Sequence, residues 1–341
     1  MSENSPEYRK IQVLGRSSFA VTLPKSWVRE MNLDSGSLVV LSIDRKGMVN
    51  IMPENLHAEE EKPSEKVLEV KTLPTPGALV EAIRSCYKIG YETIRVRHPG
   101  GLSSKSLGEI HQAAESLYGT LIVNETPNET TLQISIDIRT FTVKSLITRM
   151  GSFFINLSEE VERALLEGQM EDYRNIEYRA REVDKIYSLL VRQLVQGVRS
   201  QQIVSRVGLQ DVIQCLGSRM VAKALRDLTR SMYKISAIAE QASKADGDEV
   251  KQVAGLVSDL KTIYMKAYDS LVREDIKGAA EVFREQEAFS EEVSKLEKSL
   301  SRLVEGPGTS ALISLTRELE NAANAVVILP EVAVNRYVER E

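Results

Sequence analysis

The sequence has few of the residues on which disulfide and zinc sites depend. Its 341 residues include two cysteines and three histidines. Cys86 and Cys215 are far apart in the sequence and belong to no CxxC or CxxH pattern. They therefore predict neither a disulfide framework nor a zinc site, and they fit a reducing cytoplasm.

Long apolar runs are also absent. No stretch approaches the roughly 20 apolar residues that a membrane span needs. The best candidate, NAANAVVILPEVAVN at residues 321–335, is short and is interrupted by Pro330 and Glu331. The polar N-terminus, MSENSPEYRK, lacks the apolar segment of a signal peptide. We expect a cytoplasmic protein without membrane insertion.

The motifs of common enzyme classes are missing as well. The sequence has no GxxxxGK[ST] phosphate loop, no GxGxxG fingerprint, no GxSxG nucleophile elbow and no HExxH zinc motif. None of the three histidines has a paired nucleophile or carboxylate beside it in the sequence. These absences predict a protein that is not an enzyme and that uses no cofactor.

What the sequence does contain changes along the chain, which predicts a multidomain fold. Residues 1–54 hold short runs of Val, Ile and Leu punctuated by glycine, as in strands, and residues 55–65 form a charged linker. Residues 66–139 alternate strand-like and helix-like segments, as in a small α/β module. The remainder is helical and divides into two three-helix bundles, at 140–245 and 246–341.

The helical part has apolar residues at alternating steps of three and four. Val253, Val257 and Leu260 illustrate this spacing, which is typical of the seams between long helices in a bundle. Breaks such as EGQMED, KADGDE and EGPGTS predict six helices, most of about 25–30 residues. The order helix, turn, helix, third helix occurs twice, which predicts the two bundles in tandem.

The N-terminal strands resemble those of a known DNA-binding family. Arg9 precedes the first predicted strand (KIQVL) and Gly15 follows it; VTLPKSW, NLDSGSLVVLSID and GMVNIMP then complete the pattern, with AVTLP as the second strand. This order is similar to the SpoVT/AbrB family, which includes the MazE antitoxins. The resemblance implies a swapped-hairpin β-barrel built by two interleaved chains. A fragment of about 45 residues buries too little surface to fold alone, so we expect a homodimer.

The same resemblance implies that the dimer binds double-stranded DNA through its basic loops. The candidate DNA-binding residues are Arg9, Lys10, Arg16, Lys25 and Arg29. A two-fold axis would double these charges on one face and make binding strongly dependent on salt. However, residues 1–54 carry seven Lys or Arg and six Asp or Glu, and the whole chain has a net charge of −5. A barrel that serves only for dimerisation is therefore an open alternative. The GRSSFA loop is longer than in the shortest members of the family and shifts Arg16 relative to the strand, so the DNA sequence that the domain would bind stays unassigned.

The helical part resembles the PhoU phosphate-uptake regulators. The matching segments are AREVDKIYSLLVRQLV at residues 180–195, SRMVAKALRDLTRSMYKISAIA and LTRELENAANAVVILPEVA. The first segment is similar to a stretch found in archaeal members of the family that carry an AbrB-like N-terminal domain. The resemblance implies tandem three-helix bundles and a role connected with phosphate supply.

PhoU-like bundles often hold metal clusters on carboxylates spaced ExxxD, and here that pattern is mostly lost. The corresponding positions of the first bundle are Arg226 and Arg230, and those of the second are Glu320 and Asn324. We therefore expect no metal site. Two cations at i and i+4 share one helix face, so we expect them to pair with Glu182 or Asp184 of a neighbouring helix, with an anion as the alternative ligand.

These observations predict a DNA-binding transcriptional regulator linked to phosphate uptake or phosphate signalling. Its expected partners are DNA, a second copy of the chain and a phosphate transporter subunit or signalling protein. The alternative is a dimeric adaptor of a phosphate transporter or kinase that does not bind DNA. A third possibility, an antitoxin-like binder, fits less well because antitoxins normally end in a disordered tail.

Overall fold

The structure of the protein is a computed structural model that describes residues 7–43, 47–54, 64–72, 77–137, 140–168, 173–243, 248–302 and 306–340. The chain divides into two compact units, Met1–Pro63 (the N-terminal unit) and Ser64–Glu341 (the C-terminal unit). The predicted linker falls mainly on residues 55–63, which lie outside the described residues.

The N-terminal unit consists of two antiparallel hairpins joined by a short helix. Its elements are β1 (Gln12–Leu14), β2 (Ser18–Ala20), α1 (Lys25–Glu30), β3 (Val39–Ile43) and β4 (Val49–Pro53). Strand β1 pairs with β2, and β3 pairs with β4. The predicted order of strands, helix and strands is thus confirmed, although the AVTLP segment is shifted. Strand β2 ends at Ala20, and Val21 to Pro24 lead into the helix without a ladder.

The apolar side chains of both hairpins are exposed in the single chain. Phe19 and Ile43 are each 76% exposed, and Val13 is 69% exposed. Among the described residues of this unit, Pro53 alone is buried. In that described part, the hairpins are two separate sheets, so no barrel closes within one chain.

The α/β module opens the C-terminal unit. Its elements are β5 (Glu65–Glu69), a 3₁₀ turn, α2 (Ala78–Ile89), β6 (Thr93–Arg97), α3 (Ser104–Glu115), β7 (Thr120–Glu125) and β8 (Glu129–Ile134). The sheet order is β5-β6-β8-β7, with β5 and β6 parallel and the other pairs antiparallel. A turn at Pro127 and Asn128 joins β7 and β8 into a hairpin. Ile83, Ile94 and Leu132 are fully buried in the core between the sheet and its two helices.

The rest of the C-terminal unit is helical. It contains α4 (Val143–Glu167), α5 (Tyr173–Arg199), α6 (Gln201–Arg206), α7 (Ile213–Ala242), α8 (Glu249–Arg273), α9 (Ile276–Leu300), α10 (Pro307–Val326) and α11 (Ile328–Arg340). The six long helices are confirmed, and the predicted breaks EGQMED, KADGDE and EGPGTS lie partly outside the described residues. The short α6 and the final α11, separated from α10 at Val327, are additional. The predicted seams form one continuous core in which Leu228, Val257 and Leu315 are fully buried.

Helix α5 attaches the module to the helical bundles. The Arg192 guanidinium donates hydrogen bonds of 2.7 Å to the carbonyl oxygens of both Tyr87 and Tyr91, at the end of α2. It also lies 5.1 Å from the centre of the Tyr87 ring. Burial lowers the pKa of Arg192, and the neighbouring Tyr87 and Glu92 oppose that shift. Among the described residues, no helix is long and apolar enough to cross a membrane.

Candidate nucleic-acid interface

The five predicted basic residues all lie exposed on the N-terminal unit. Arg9 and Lys10 precede β1, and Arg16 lies in the turn that Gly15 opens with a positive φ of 71°. Glycine adopts this backbone conformation without steric cost. Lys25 and Arg29 belong to α1, one at each end.

Local geometry explains why α1 presents its two cations to solvent. Lys25 and Arg29 are four residues apart and therefore share one helix face, whereas Trp27 and Val28 are partly buried on another side. The helix ends because Asn32 adopts a positive φ of 50° and Leu33 N–H donates to the Val28 carbonyl at 2.9 Å.

The hairpin separates the remaining cations into two groups. In the β1–β2 ladder Gln12 pairs with Ala20 and Leu14 with Ser18, so Arg16 lies at the closed end. Arg9 and Lys10 lie at the open end, roughly 20 Å away along an extended strand. A single chain therefore does not gather all five cations at one point.

Arg9 also has an acidic neighbour that the sequence analysis missed. Its guanidinium forms an ion pair with Glu7, two residues earlier and exposed like itself. An exposed pair contributes at most about 1 kcal/mol and leaves Arg9 free to exchange partners. The described part of the unit contains these five cations and four acidic residues.

The cations predicted to pair in the helical part do so with one carboxylate. Arg226 Nε lies 2.6 Å from Asp184 Oδ1, and Arg230 Nη2 lies 3.2 Å from Asp184 Oδ2. The guanidinium of Arg226 also lies 4.4 Å from the centre of the Tyr187 ring. The predicted pairing is confirmed, with Asp184 rather than Glu182 as the partner.

Glu182 instead joins the α/β module to α5. Its Oε2 accepts a 2.6 Å hydrogen bond from the Tyr118 hydroxyl, and Lys185 lies 3.1 Å from its Oε1. Burial raises the pKa of Glu182, but these partners outweigh burial and leave it below its usual range. Burial, followed by the bond to Glu182, raises the pKa of Tyr118 to about 12.

Glu320, one of the two ExxxD positions of the second bundle, contacts a hydroxyl group. Glu320 Oε1 accepts a 3.0 Å hydrogen bond from the Ser290 hydroxyl. In the part of the chain that the structure describes, no three His, Cys, Asp or Glu side chains are grouped in a way that could hold a metal ion.

Comparison with known proteins gives a match at each end of the chain. Residues 12–55 match the family model of the MazE antitoxin, described as "Antidote-toxin recognition MazE, bacterial antitoxin". The crystal structure of PhoU from Pseudomonas aeruginosa superposes with a TM-score of 0.45 at 13% sequence identity, covering 58% of this chain and 96% of that chain. No curated protein matches the sequence.

The first match falls on the segment whose order of strands and helix indicated an AbrB-like domain. The described strands β1 to β4 and helix α1 all lie within residues 12–55. Residues 12–55 are therefore similar in sequence to the MazE antitoxins, with the order of strands and helix predicted for an AbrB-like domain.

Proposed function

We propose that the protein is a homodimeric, DNA-binding transcriptional regulator whose helical part receives a signal. The observation that carries this proposal is the N-terminal unit itself. It combines two apolar hairpins that one chain leaves exposed with five exposed cations, and residues 12–55, which include three of those cations, match the MazE antitoxin family.

The exposed hairpins supply the reason for dimerisation. Monomeric proteins rarely leave contiguous apolar surface uncovered. Full burial of a Phe or Ile side chain contributes about 1.5–3 kcal/mol. Phe19 and Ile43, which are largely exposed, are therefore expected to lie in the interface between two copies.

The proposed DNA binding depends on the exposed basic residues, which would contact the phosphate backbone. In a two-fold dimer, Lys25 and Arg29 of each α1 would face the phosphate backbone together with Arg9 and Lys10 at the open end of the hairpin. Arg16 would contact DNA from the closed end. Ten cations in two copies could neutralise roughly 6–8 phosphates, which corresponds to a salt slope of about −5 to −7.

The proposed link to phosphate supply rests on the resemblance of residues 180–195 to PhoU regulators. In this proposal the helical part contacts a transporter subunit or a signalling protein, and the contact changes the spacing of the two DNA-binding halves. The near balance of positive and negative charge in the N-terminal unit favours an alternative function, that of a dimeric adaptor that does not bind DNA.

Fluorescence anisotropy with promoter DNA from the protein's own genome tests the proposal. We expect binding that weakens steeply with salt and falls at least about tenfold in the double variant Arg9→Ala/Arg16→Ala. The matched control is Lys295→Ala/Lys298→Ala, which removes two exposed cations from α9. A dimer that fails to bind DNA at low salt would instead favour the adaptor.

A further inference from the structure

A long groove lies between α7 and α10, which run antiparallel. Gln241 near the end of α7 contacts Pro307 at the start of α10. Lys234, about two turns earlier on α7, contacts Glu318, which lies further along α10. The groove encloses about 770 Å³. That volume is within the range of about 300–1,000 Å³ that is typical of small-molecule sites.

One wall of the groove is basic. Helix α7 contributes four cations at helical spacing: Arg219, Lys223, Arg230 and Lys234. The groove also contains two acidic residues, and each already has a cation partner. Asp227 pairs with Lys223 four residues earlier, and Glu318 lies 2.8 Å from Lys234.

Positive charge therefore remains unbalanced at the Arg219 end. Among the described residues, no carboxylate lies within ion-pair distance of Arg219, whose guanidinium is 5.0 Å from the centre of the Tyr187 ring. Lys88 of α2 lies close to this end. Burial lowers the pKa of Lys88; Glu81 opposes that shift, and the charges of Arg226, Arg84 and Arg219 add to it.

The groove also has an apolar floor and, further along, amide donors. Met220, Ala325 and Ile328 line the floor, and Met220 is 40% exposed. On the opposite wall, Asn321 and Asn324 of α10 are exposed and make no hydrogen bond within the described residues. Guanidinium groups form bidentate hydrogen bonds with phosphate, and the apolar residues beside them can contact an organic group of the same ligand.

We propose that this groove binds a small phosphorylated organic anion of the nucleoside diphosphate class. The phosphates contact Arg219, the base lies on Met220 and Ile328, and the Asn324 amide contacts the edge of the base. A DNA duplex is too wide to enter, because packed helices are about 8–10 Å apart. This inference goes beyond the proposed function and does not depend on DNA binding by the N-terminal unit.

Isothermal titration calorimetry of the full chain with ADP tests the proposal, in buffer containing EDTA so that no metal ion bridges ligand and protein. We expect ADP to bind, inorganic pyrophosphate to bind more weakly, and adenosine to bind least. Affinity for ADP should fall as salt concentration rises, because the interaction is partly between exposed charges.

Two variants on opposite walls make the test specific. Arg219→Gln removes the unbalanced cation, and Asn324→Asp keeps the side-chain shape while adding a negative charge to the groove. Each should weaken ADP binding about tenfold or more, because Arg219→Gln loses a charged hydrogen-bond donor and Asn324→Asp repels the diphosphate. Lys295→Gln, an exposed cation on α9 outside the groove, should leave ADP affinity unchanged, and thermal melting checks that all variants fold.

Three results would overturn the proposal. The first is the absence of heat of binding with ADP at millimolar concentration. The second is ADP binding that both groove variants leave unchanged. The third is displacement of ADP by duplex DNA together with loss of DNA binding in Asn324→Asp, which would make the groove a nucleic-acid contact.

Discussion

The two units of the chain place similar apolar residues in opposite environments. Val13 and Leu41 in the N-terminal hairpins are more than half exposed, whereas Val257 and Leu315 in the helical bundles are fully buried. The difference lies in what covers them. A helix with an apolar stripe finds its neighbours along the same chain, but a lone hairpin needs a second sheet to cover its apolar face. The bundles therefore complete their core within one copy, whereas the hairpins leave their apolar side chains uncovered in one copy.

The largest effect should come from opening the core of the helical part. Leu228→Ala removes a fully buried side chain from the centre of α7. We expect the free energy of unfolding to fall by about 2–5 kcal/mol, because the cavity adds to the loss of burial. Urea denaturation followed by circular dichroism measures this change. An equal loss on truncating the exposed Leu41 to Ala in isolated monomer would contradict the contrast between the units.

A charge in the N-terminal hairpin should act on association rather than on the bundles. Phe19→Asp places a carboxylate where we propose the two copies meet. We expect the dimer dissociation constant to rise by at least about 100-fold, since at least about 1.5 kcal/mol of burial is lost in each of the two copies. Analytical ultracentrifugation measures it. Leu166→Asp, at an exposed position on α4, is the control and should leave the dimer intact.

Two glycines in the bundles should respond to alanine with opposite signs. A Cβ at Gly151 would overlap the Tyr264 hydroxyl, whereas a Cβ at Gly255 would meet nothing within 4 Å. Gly151→Ala should therefore cost about 1–3 kcal/mol through overpacking. Gly255→Ala should stabilise the protein by about 0.5–1 kcal/mol, because glycine is unfavourable inside a helix. Thermal unfolding compares them, and a shift in the same direction for both would count against the packing described for Tyr264.

The smallest expected effect is on the pH dependence of the free energy of unfolding. The pKa of Glu182 is lowered in the folded protein, so its ionised form contributes stability above its usual pKa, and this contribution disappears as the pH falls through the folded value. We expect the difference in unfolding free energy between the wild type and Glu182→Gln to shrink between about pH 6 and pH 3. Urea titrations over that range measure it. A difference that stays constant with pH would show that Glu182 contributes by packing alone.

Local periodicity explains which features could be predicted from the sequence. The helix seams follow from spacings of three and four, and the pairing of Asp184 with Arg226 follows from adjacent faces of neighbouring helices. The contacts of the α/β module with α5 could not be predicted. Tyr118 and Glu182 are 64 positions apart, and Arg192 reaches a carbonyl 105 positions earlier. Such contacts depend on how whole elements dock, which no local pattern encodes.

The same distinction between local and long-range features applies to the candidate DNA interface. The positions of Lys25 and Arg29 on one face of α1 follow from helical spacing, but the separation of Arg16 from Arg9 required the hairpin register. Pairing between two copies is an intermolecular property, so neither one sequence nor one folded chain contains its geometry.

The Arg192 contact has a consequence for the order in which the newly made protein takes shape. The carbonyls at the end of α2 receive their partner from a residue 105 positions further along. At synthesis rates of about 5–20 residues per second, α2 leaves the ribosome roughly 5–20 s before that guanidinium does. During this interval water must solvate those carbonyls, so the α/β module reaches its final form only after α5 has been made and has docked.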